Sequence, residues 1–344
     1  MRSSSLAGVV ALLLIAAAAP THGQRARGGR LYELVPLEAG TSTRATDVNA
    51  RGQACGLVTE PSGTVALRWS TAAGLTPLAP VPGYPRALAL GITRDGFVLG
   101  QSFSPSLSVA TLWSPSGTPT ALPSLGWSLV EPAAISDAGV VVGRGYAGGP
   151  WQPWVWDAVH GTRLLASLGF PAGATVTDVD ANGVLAGAPS FGEAFLFDLA
   201  TATVTPLGTL GGDTSAALAL DEAGYVVGRS QTLPANEPAP FFWTPFGGMR
   251  SLGTPSGPGD VDGQAHDVNR HAVVVGAFES APGETHAFVW EETLGLRDLN
   301  ALVRARGGVE LQSALHLSDS GWIAGIGKDH SQGGKTVGFL LRPL

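Results

Sequence analysis

The chain has 344 residues, a formal net charge of −7 and one cysteine. Its length is sufficient for a large hydrophobic core, and a single cysteine excludes an intrachain disulfide. The acidic balance, with scattered arginines and only Lys328 and Lys335 as lysines, argues against nucleic acid or an anionic membrane surface as a partner.

The first 23 residues are predicted to be a signal peptide. Arg2 supplies a positive charge, Leu6 to Ala19 is an uninterrupted apolar or small-residue stretch, and small residues precede Gln24. This stretch is shorter than the about 20 apolar residues that a membrane-spanning helix needs. We therefore expect an exported protein, periplasmic or extracellular and not inserted in a membrane, in which residues 24–344 form a single domain.

Seven repeats follow, each marked by a short turn and a closing glycine. The closing glycines are separated by 44, 43, 44, 41, 48 and 49 residues, a period that indicates propeller blades or solenoid turns. The first turn residue, the fourth turn residue and the closing glycine are Asn49, Gly52 and Gly56; Thr93, Gly96 and Gly100; Ser136, Gly139 and Gly143; Asp180, Gly183 and Gly187; Asp221, Gly224 and Gly228; Asn269, Ala272 and Gly276; and Ser318, Gly321 and Gly325.

Each repeat is predicted to contain four strands, here called a to d in chain order. Strand a ends on an apolar residue just before the turn, and small residues such as Ala45, Ala89 and Ala265 precede that end, as expected where blades converge. The turn pattern favours a left-handed fourth residue. Because Ala272 replaces glycine there, we expect a looser or remodelled turn in the sixth repeat.

Strands b and c are predicted to be buried. Strand b is apolar, and Cys55 takes the place of a small hydrophobic residue in the first repeat, which argues against a role as nucleophile. Strand c is aromatic, as in Pro153-Trp154-Val155-Trp156. We expect a large ring, mostly tryptophan, to cover the closing glycine of each repeat.

The arrangement of strand d predicts a closed ring. Six copies of strand d, each marked by a leucine such as Leu78 or Leu207, follow seven copies of strand c. The missing copy is the segment Leu31-Tyr32-Glu33-Leu34-Val35-Pro36-Leu37 at the N-terminus. The sequence therefore predicts an all-β, seven-bladed β-propeller of four-stranded blades, closed by an N-terminal strand that completes the last blade.

The repeat resembles the HAF family of extracellular bacterial repeat proteins. The resemblance rests on Leu207-Gly-Thr-Leu-Gly-Gly212, on Asp221-Glu-Ala-Gly-Tyr-Val-Val-Gly228 and on His286-Ala-Phe-Val-Trp290, and it extends over nearly all of the chain after residue 23, with the first two blades more diverged. It implies export and a repeat architecture, and it supplies no catalytic residues.

One segment has the spacing of a partial calcium loop. Asp178, Asp180 and Asn182 match its first half, in which alternate oxygen ligands face one ion. Pro189 stands where a helix-loop-helix site needs glutamate, and Ala186 stands where a propeller hairpin site needs another acid. The sequence thus favours ordinary turn residues and no cofactor, and leaves calcium as an alternative.

Aromatic residues on the loops suggest a recognition surface. The b–c and d–a connections of a four-stranded blade emerge on the same face, and several of them carry rings outside the core pattern. The alternative is that these rings cap their own blades. The candidate ligand-binding residues are Tyr84, Phe103, Trp127, Tyr146 and Trp151, and Phe170 and Phe191 share the pattern.

No catalytic residues are predicted. Asp260, Asp262, His266 and Asp267 read as a solvated acidic group, and His160, His271, His286, His316 and His330 show no pair at metal-ligand or triad spacing. The leading hypothesis is a secreted, monomeric, non-catalytic binding or scaffold module for a protein or an extracellular glycan. The alternatives are a carbohydrate-active lyase or hydrolase with acids at the channel mouth, and a structural envelope protein.

Overall fold

The computed structural model describes residues 31–234, 237–255 and 262–344. Within these ranges the regular structure consists of seven antiparallel four-stranded sheets and three short 3₁₀ turns. The predicted signal peptide, residues 1–23, and Asp260 lie outside the described residues. None of the helical segments in the described ranges has the length and apolar character needed to cross a membrane.

The seven sheets are the seven predicted blades, and β1 is the segment Tyr32–Leu37. The strands of blades one to three are β2 Ser42–Val48, β3 Ala54–Glu60, β4 Gly63–Ser70 and β5 Gly74–Leu78; β6 Arg86–Ile92, β7 Val98–Phe103, β8 Ser108–Trp113 and β9 Pro119–Ala121; and β10 Leu129–Ile135, β11 Val141–Tyr146, β12 Gln152–Asp157 and β13 Gly161–Leu164.

The other four blades follow the same order. Their strands are β14 Thr175–Val179, β15 Val184–Ala188, β16 Ala194–Asp198 and β17 Thr203–Gly208; β18 Gly211–Leu220, β19 Val226–Thr232, β20 Pro238–Thr244 and β21 Gly248–Ser251; β22 Gly263–Val268, β23 Val274–Ala281, β24 Glu284–Glu291 and β25 Gly295–Asp298; and β26 Val309–Leu317, β27 Ile323–Asp329 and β28 Lys335–Pro343 with β1.

The first strand of every blade lies innermost. Each of these seven strands contacts the first strands of both neighbouring blades, and β2 of blade one contacts β26 of blade seven, so they form a continuous inner ring around a channel. The small residues predicted there are buried: Ala45, Ala89 and Ala265 have no exposed surface. Small side chains are what the convergence of seven strands permits.

The N-terminal strand closes the ring, as predicted. β1 pairs antiparallel with β28, from Tyr32 opposite Pro343 to Leu37 opposite Gly338. The Thr43 hydroxyl donates to the Leu37 carbonyl and accepts from the Gly338 amide at 2.8 Å, which ties blade one to blade seven. The two ends of the chain therefore share one sheet, and no blade lacks its outer strand.

A β-bulge in strand a explains most of the closing glycines. In all seven blades the register of strand a against strand b shifts by one residue near this glycine, as it does between Ala45 and Asp47. A Cβ on Gly56, Gly100 or Gly228 would lie 2.0 Å from a carbonyl oxygen of strand a. The bulge pushes this carbonyl toward strand b, so a side chain has no room there.

In blades two to seven a ring of strand c covers the closing glycine, but it is seldom the expected tryptophan; in blade one Leu67 stands opposite Gly56. In blade three it is Trp154 and in blade two it is Trp113, whereas blades four to seven use phenylalanine. The reason is register, because the residue directly opposite the glycine is the first aromatic residue of strand c in blades three to seven. The rings of blades four to seven are Phe195, Phe241, Phe288 and Phe339.

The turn of blade six is not remodelled, contrary to the expectation. Ala272 adopts φ 54°, and its amide donates to the Asn269 carbonyl at 2.9 Å, as the turn glycine does in the other blades. The Asn269 side-chain oxygen accepts from the amides of His271 and Val273. These bonds hold the alanine in the left-handed region, so the strain is retained and the turn keeps its shape.

Candidate functional site

The alternating direction of the strands gives the ring two different faces. The a–b and c–d hairpins lie on one face, and the b–c and d–a connections lie on the other, here called the loop face. The predicted aromatic residues sit on the loop face or beside it, on connections and strand ends. Their positions in three dimensions decide which of them can contact a common ligand.

Tyr146 and Trp151 are brought together at blade three. Tyr146 ends β11 and Trp151 precedes β12, and the centroids of their rings are 5.3 Å apart. The Arg144 guanidinium lies 4.5 Å from the centroid of the Trp151 ring and pairs with the Glu131 carboxylate at 2.6 Å. The b–c hairpin of blade three therefore presents two rings and a cation, and the neighbouring strand β10 adds the Glu131 carboxylate beside them.

Trp151, Arg144 and Glu131 form one wall of a cleft between blades three and four, whereas Tyr146 contacts Trp151 and is not part of the lining. The cleft has a volume of about 650 Å³ and continues to the inner strands at Thr177 and Leu218. We call it the aromatic cleft. Its lining includes Arg144, Trp151 and Pro153 from blade three and Ala174, Val176 and Thr177 from blade four.

The other predicted aromatic residues do not join the aromatic cleft. Trp127 is only 7% exposed, stacks on Trp154 at 6.4 Å between centroids, and donates through Nε1 to the Gln152 side chain at 2.9 Å. This ring caps the core of its blade and offers little surface to a ligand. Tyr84, on the connection between β5 and β6, and Phe103, at the end of β7, belong to other blades.

Asp178, Asp180 and Asn182 all have structural hydrogen bonds. Asp178 Oδ1 accepts from the Val179 amide at 2.8 Å and its Oδ2 accepts from the Leu220 amide of blade five at 3.0 Å. Asp180 accepts from Asn182 and Val184 and thereby holds the a–b turn. In the described part of the chain, no three His, Cys, Asp or Glu side chains are grouped to hold a metal ion.

The Asp178 contact belongs to a pair of hydrogen bonds between neighbouring blades that recurs in three blades. The bulged residue of strand a donates to a carbonyl of the next blade, and the aspartate after it accepts an amide of the next blade. Thr177 and Asp178 bind Ala217 and Leu220 in this way. The other two pairs are Thr46 with Asp47, bound to Ala89 and Ile92, and His266 with Asp267, bound to Ala314 and Leu317.

Two of these aspartates meet a histidine inside the channel, an arrangement that the sequence spacing did not reveal. His316 of blade seven lies between blades six and one, with Nδ1 3.4 Å from Asp267 Oδ2 and 3.5 Å from Asp47 Oδ1. Burial by itself lowers the pKa of His316, but the two carboxylates outweigh it and raise that pKa to about 10. Burial raises the pKa of Asp178 to about 7.

Two histidines without metal-ligand or triad spacing in the sequence meet at one carboxylate in the structure. His286 and His330 both contact the Glu310 carboxylate on the loop face between blades six and seven. The partners come from β24, β26 and the connection after β27, so their sequence separation follows no local pattern.

Cys55 agrees with the prediction of a core residue, because it is buried and burial raises the pKa of its thiol.

The fold is shared with solved propellers of very low sequence identity. No family model and no curated protein matches the chain. Streptogramin B lyase has a TM-score of 0.59 at 8% identity over 91% of this chain and 98% of its own. A selenomethionine-substituted virginiamycin B lyase from Staphylococcus aureus has a TM-score of 0.59 at 10% identity, covering 91% and 100%.

A third similar structure differs at the closure. The β-propeller domain of the trilobed protease from Pyrococcus furiosus has a TM-score of 0.58 at 8% identity, covering 90% of this chain and 93% of its own, and it is described as having an open velcro topology. In the present chain β1 completes the sheet of β26 to β28. At these identities the similarity establishes the propeller fold and nothing about activity.

Proposed function

We propose that the protein is an exported β-propeller that binds an extracellular glycan through the aromatic cleft. The observation that carries the proposal is that Trp151 lines a cleft of about 650 Å³ and is backed by Tyr146, with 5.3 Å between the ring centroids. Sites for small ligands are concave and largely apolar, with a few polar groups that fix orientation. Export is inferred from the N-terminal apolar stretch and from the resemblance to HAF repeats.

The lining of the aromatic cleft suits a sugar. The faces of sugar rings are apolar and stack on indole and phenol rings, while their hydroxyls need donors and acceptors at the rim. Arg144 and Glu131 supply both beside Trp151. A protein ligand would be the alternative for the same surface.

Replacing Trp151 by alanine tests this proposal. We expect wild-type protein to bind members of a glycan array and Trp151→Ala to lose about 2 kcal/mol of binding free energy, roughly a 30-fold rise in Kd, because an aromatic anchor in a cleft is removed. Titration calorimetry with the best glycan measures the change.

Phe191→Ala is the matched control. Phe191 is also on a b–c connection, is 76% exposed and does not line the aromatic cleft. Its replacement should leave Kd unchanged. Equal losses in both variants, or no glycan bound by the wild type, would contradict the proposal and favour the protein-ligand or structural alternative.

A further inference from the structure

A second cleft on the loop face, between blades six and seven, contains acid–base groups and a guanidinium. It has a volume of about 610 Å³, and His286, Arg306, Glu310 and His330 line it together with the backbone of residues 307–309. We call it the histidine cleft. It does not share residues with the aromatic cleft, and an inference about it does not depend on the proposed glycan-binding role.

Four titratable side chains form a continuous chain of contacts at this cleft. Asp298 Oδ2 lies 2.8 Å from His286 Nδ1, and His286 Nε2 lies 3.7 Å from Glu310 Oε1. The other oxygen of Glu310 lies 2.6 Å from His330 Nε2. Asp298 is held in place because its Oδ1 accepts from the Asn300 amide at 2.8 Å. A carboxylate on Nδ1 fixes the tautomer in which Nε2 can take a proton.

The guanidinium of Arg306 is positioned by a buried side chain. Its Nη1 donates to Asn300 Oδ1 at 2.9 Å. Asn300 is itself fixed by the backbone of Leu311, from whose amide it accepts and to whose carbonyl it donates, both at 2.9 Å. Arg306 thus lines the histidine cleft from a rigid anchor, and a guanidinium is the group that best recognises a carboxylate.

The side chains that line the histidine cleft limit the reaction types that it could catalyse. Among the described residues that line it there is no hydroxyl or thiol side chain, so this lining offers no serine, threonine or cysteine nucleophile. The His286 ring lies between Asp298 and Glu310, so these two carboxylates cannot face one anomeric carbon as a glycosidase pair does. The groups that remain available for chemistry are one imidazole that can act as a base, a second imidazole, and an arginine that can bind a carboxylate.

We propose that the histidine cleft cleaves a uronate-containing glycan by β-elimination. Arg306 binds the uronate carboxylate, which acidifies the neighbouring C5–H bond. His286 Nε2 takes the C5 proton, the electron pair of that bond forms the C4=C5 double bond, and the C4–O bond breaks. His330 donates a proton to the departing oxygen, so the products are an unsaturated uronate and a new sugar hydroxyl, with no further reactant.

The test uses the full exported chain with polygalacturonate, alginate and hyaluronan as probes. The unsaturated product absorbs in the ultraviolet, and its appearance gives the rate. We expect turnover of at least one polymer, and His286→Ala and His286→Gln should lower kcat by about 10²- to 10⁴-fold. Arg306→Lys should retain more activity than Arg306→Ala, because it keeps the positive charge. Thermal melting verifies that each variant is folded.

His160→Ala is the matched control. His160 Nδ1 also contacts an aspartate, Asp157, at 2.9 Å, but it lies at the c–d hairpin of blade three, outside the histidine cleft. Its replacement should leave the rate unchanged. The proposal is overturned by a saturated product, which would indicate hydrolysis, by loss of activity on chelation, or by no product from any of the three polymers.

Discussion

At the scale of single residues, the two glycine positions that recur in each repeat have separate physical causes. The turn glycine is needed for a left-handed backbone, as at Gly52 with φ 70°, whereas the closing glycine is needed for space. A Cβ on Gly56 would lie 2.0 Å from the Arg44 carbonyl oxygen, a contact that no rotamer can relieve. Ala272 shows that a residue other than glycine can occupy the left-handed turn position at a cost in free energy, because a side chain there meets backbone strain and no steric clash.

Replacing Ala272 by glycine should stabilise the protein. An alanine in the left-handed region costs about 1–2 kcal/mol, and the greater freedom of glycine in the unfolded chain offsets about 0.5–1 kcal/mol of the gain. We expect a net increase of about 0.5–1 kcal/mol in the free energy of unfolding, measured by urea denaturation. Gly224→Ala, the reverse change in blade five, should destabilise, and a stabilised Gly224→Ala would contradict this account.

At the scale of elements, the strand-a bulge connects neighbouring blades. It places a threonine or histidine and the following aspartate against the next blade at the interfaces one–two, four–five and six–seven. The other strand-a positions carry no such pair: Gly91, Ala134 and Ala219 stand where the aspartates would be, and His316 occupies the site in blade seven. These contacts give the aspartates of strand a a structural role, because they hold neighbouring blades together.

The pH dependence of stability should report on Asp178. Its folded pKa, about 7, is above the unfolded value of about 3.9, so its contribution is fully present below pH 4 and is lost as pH rises through 7. Asp178→Asn removes this titration and leaves one backbone amide without an acceptor, a cost of about 1–3 kcal/mol. We therefore expect the variant to be less stable than wild type at pH 5 and the difference to narrow by pH 8.

Melting temperatures at both pH values measure this narrowing. Asp180→Asn is the control, since Asp180 binds only its own turn. A gap between wild type and Asp178→Asn that stays constant from pH 5 to pH 8 would show that Asp178 is ionised throughout.

At the scale of the whole molecule, stability depends on joining the two ends of the chain. β1 buries Tyr32 and Leu37 and covers the hydrogen-bonding edge of β28. The Leu344 amide also donates to the Leu31 carbonyl at 3.0 Å, and Glu33 pairs with Arg342. Without β1, blade seven would end at an exposed edge strand, a site of aggregation.

Removing the closing strand tests the ring directly. A chain that begins at residue 39 should melt on the order of 10 °C below one that begins at residue 24, or aggregate, because two buried side chains and a strand pairing are lost. A synthetic peptide of residues 31–38 should restore much of the difference by pairing with β28. Equal melting curves for the two chains would show that closure contributes little.

The sequence by itself determined the number of blades, the four strands in each, the closing N-terminal strand and the buried Cys55. These features follow from local patterns, since alternation, turn residues and a repeat count need no knowledge of distant contacts. The sequence also pointed to Tyr146 and Trp151 as rings outside the core pattern, but it could not separate them from Trp127, whose burial depends on the packing of its blade.

Only the tertiary structure decided which side chains meet. His316 lies between Asp47 and Asp267 because blade seven closes against blade one, and His286 reaches the Glu310 carboxylate, which His330 also contacts, because blades six and seven are neighbours. Asp47, Asp267 and His316 share one position of the repeat and meet only because the ring closes, whereas His286, Glu310 and His330 occupy different repeat positions and have no common spacing. The physical reason is that the repeat period gives the place of each residue within its own blade, whereas contacts between blades depend on how the ring is assembled.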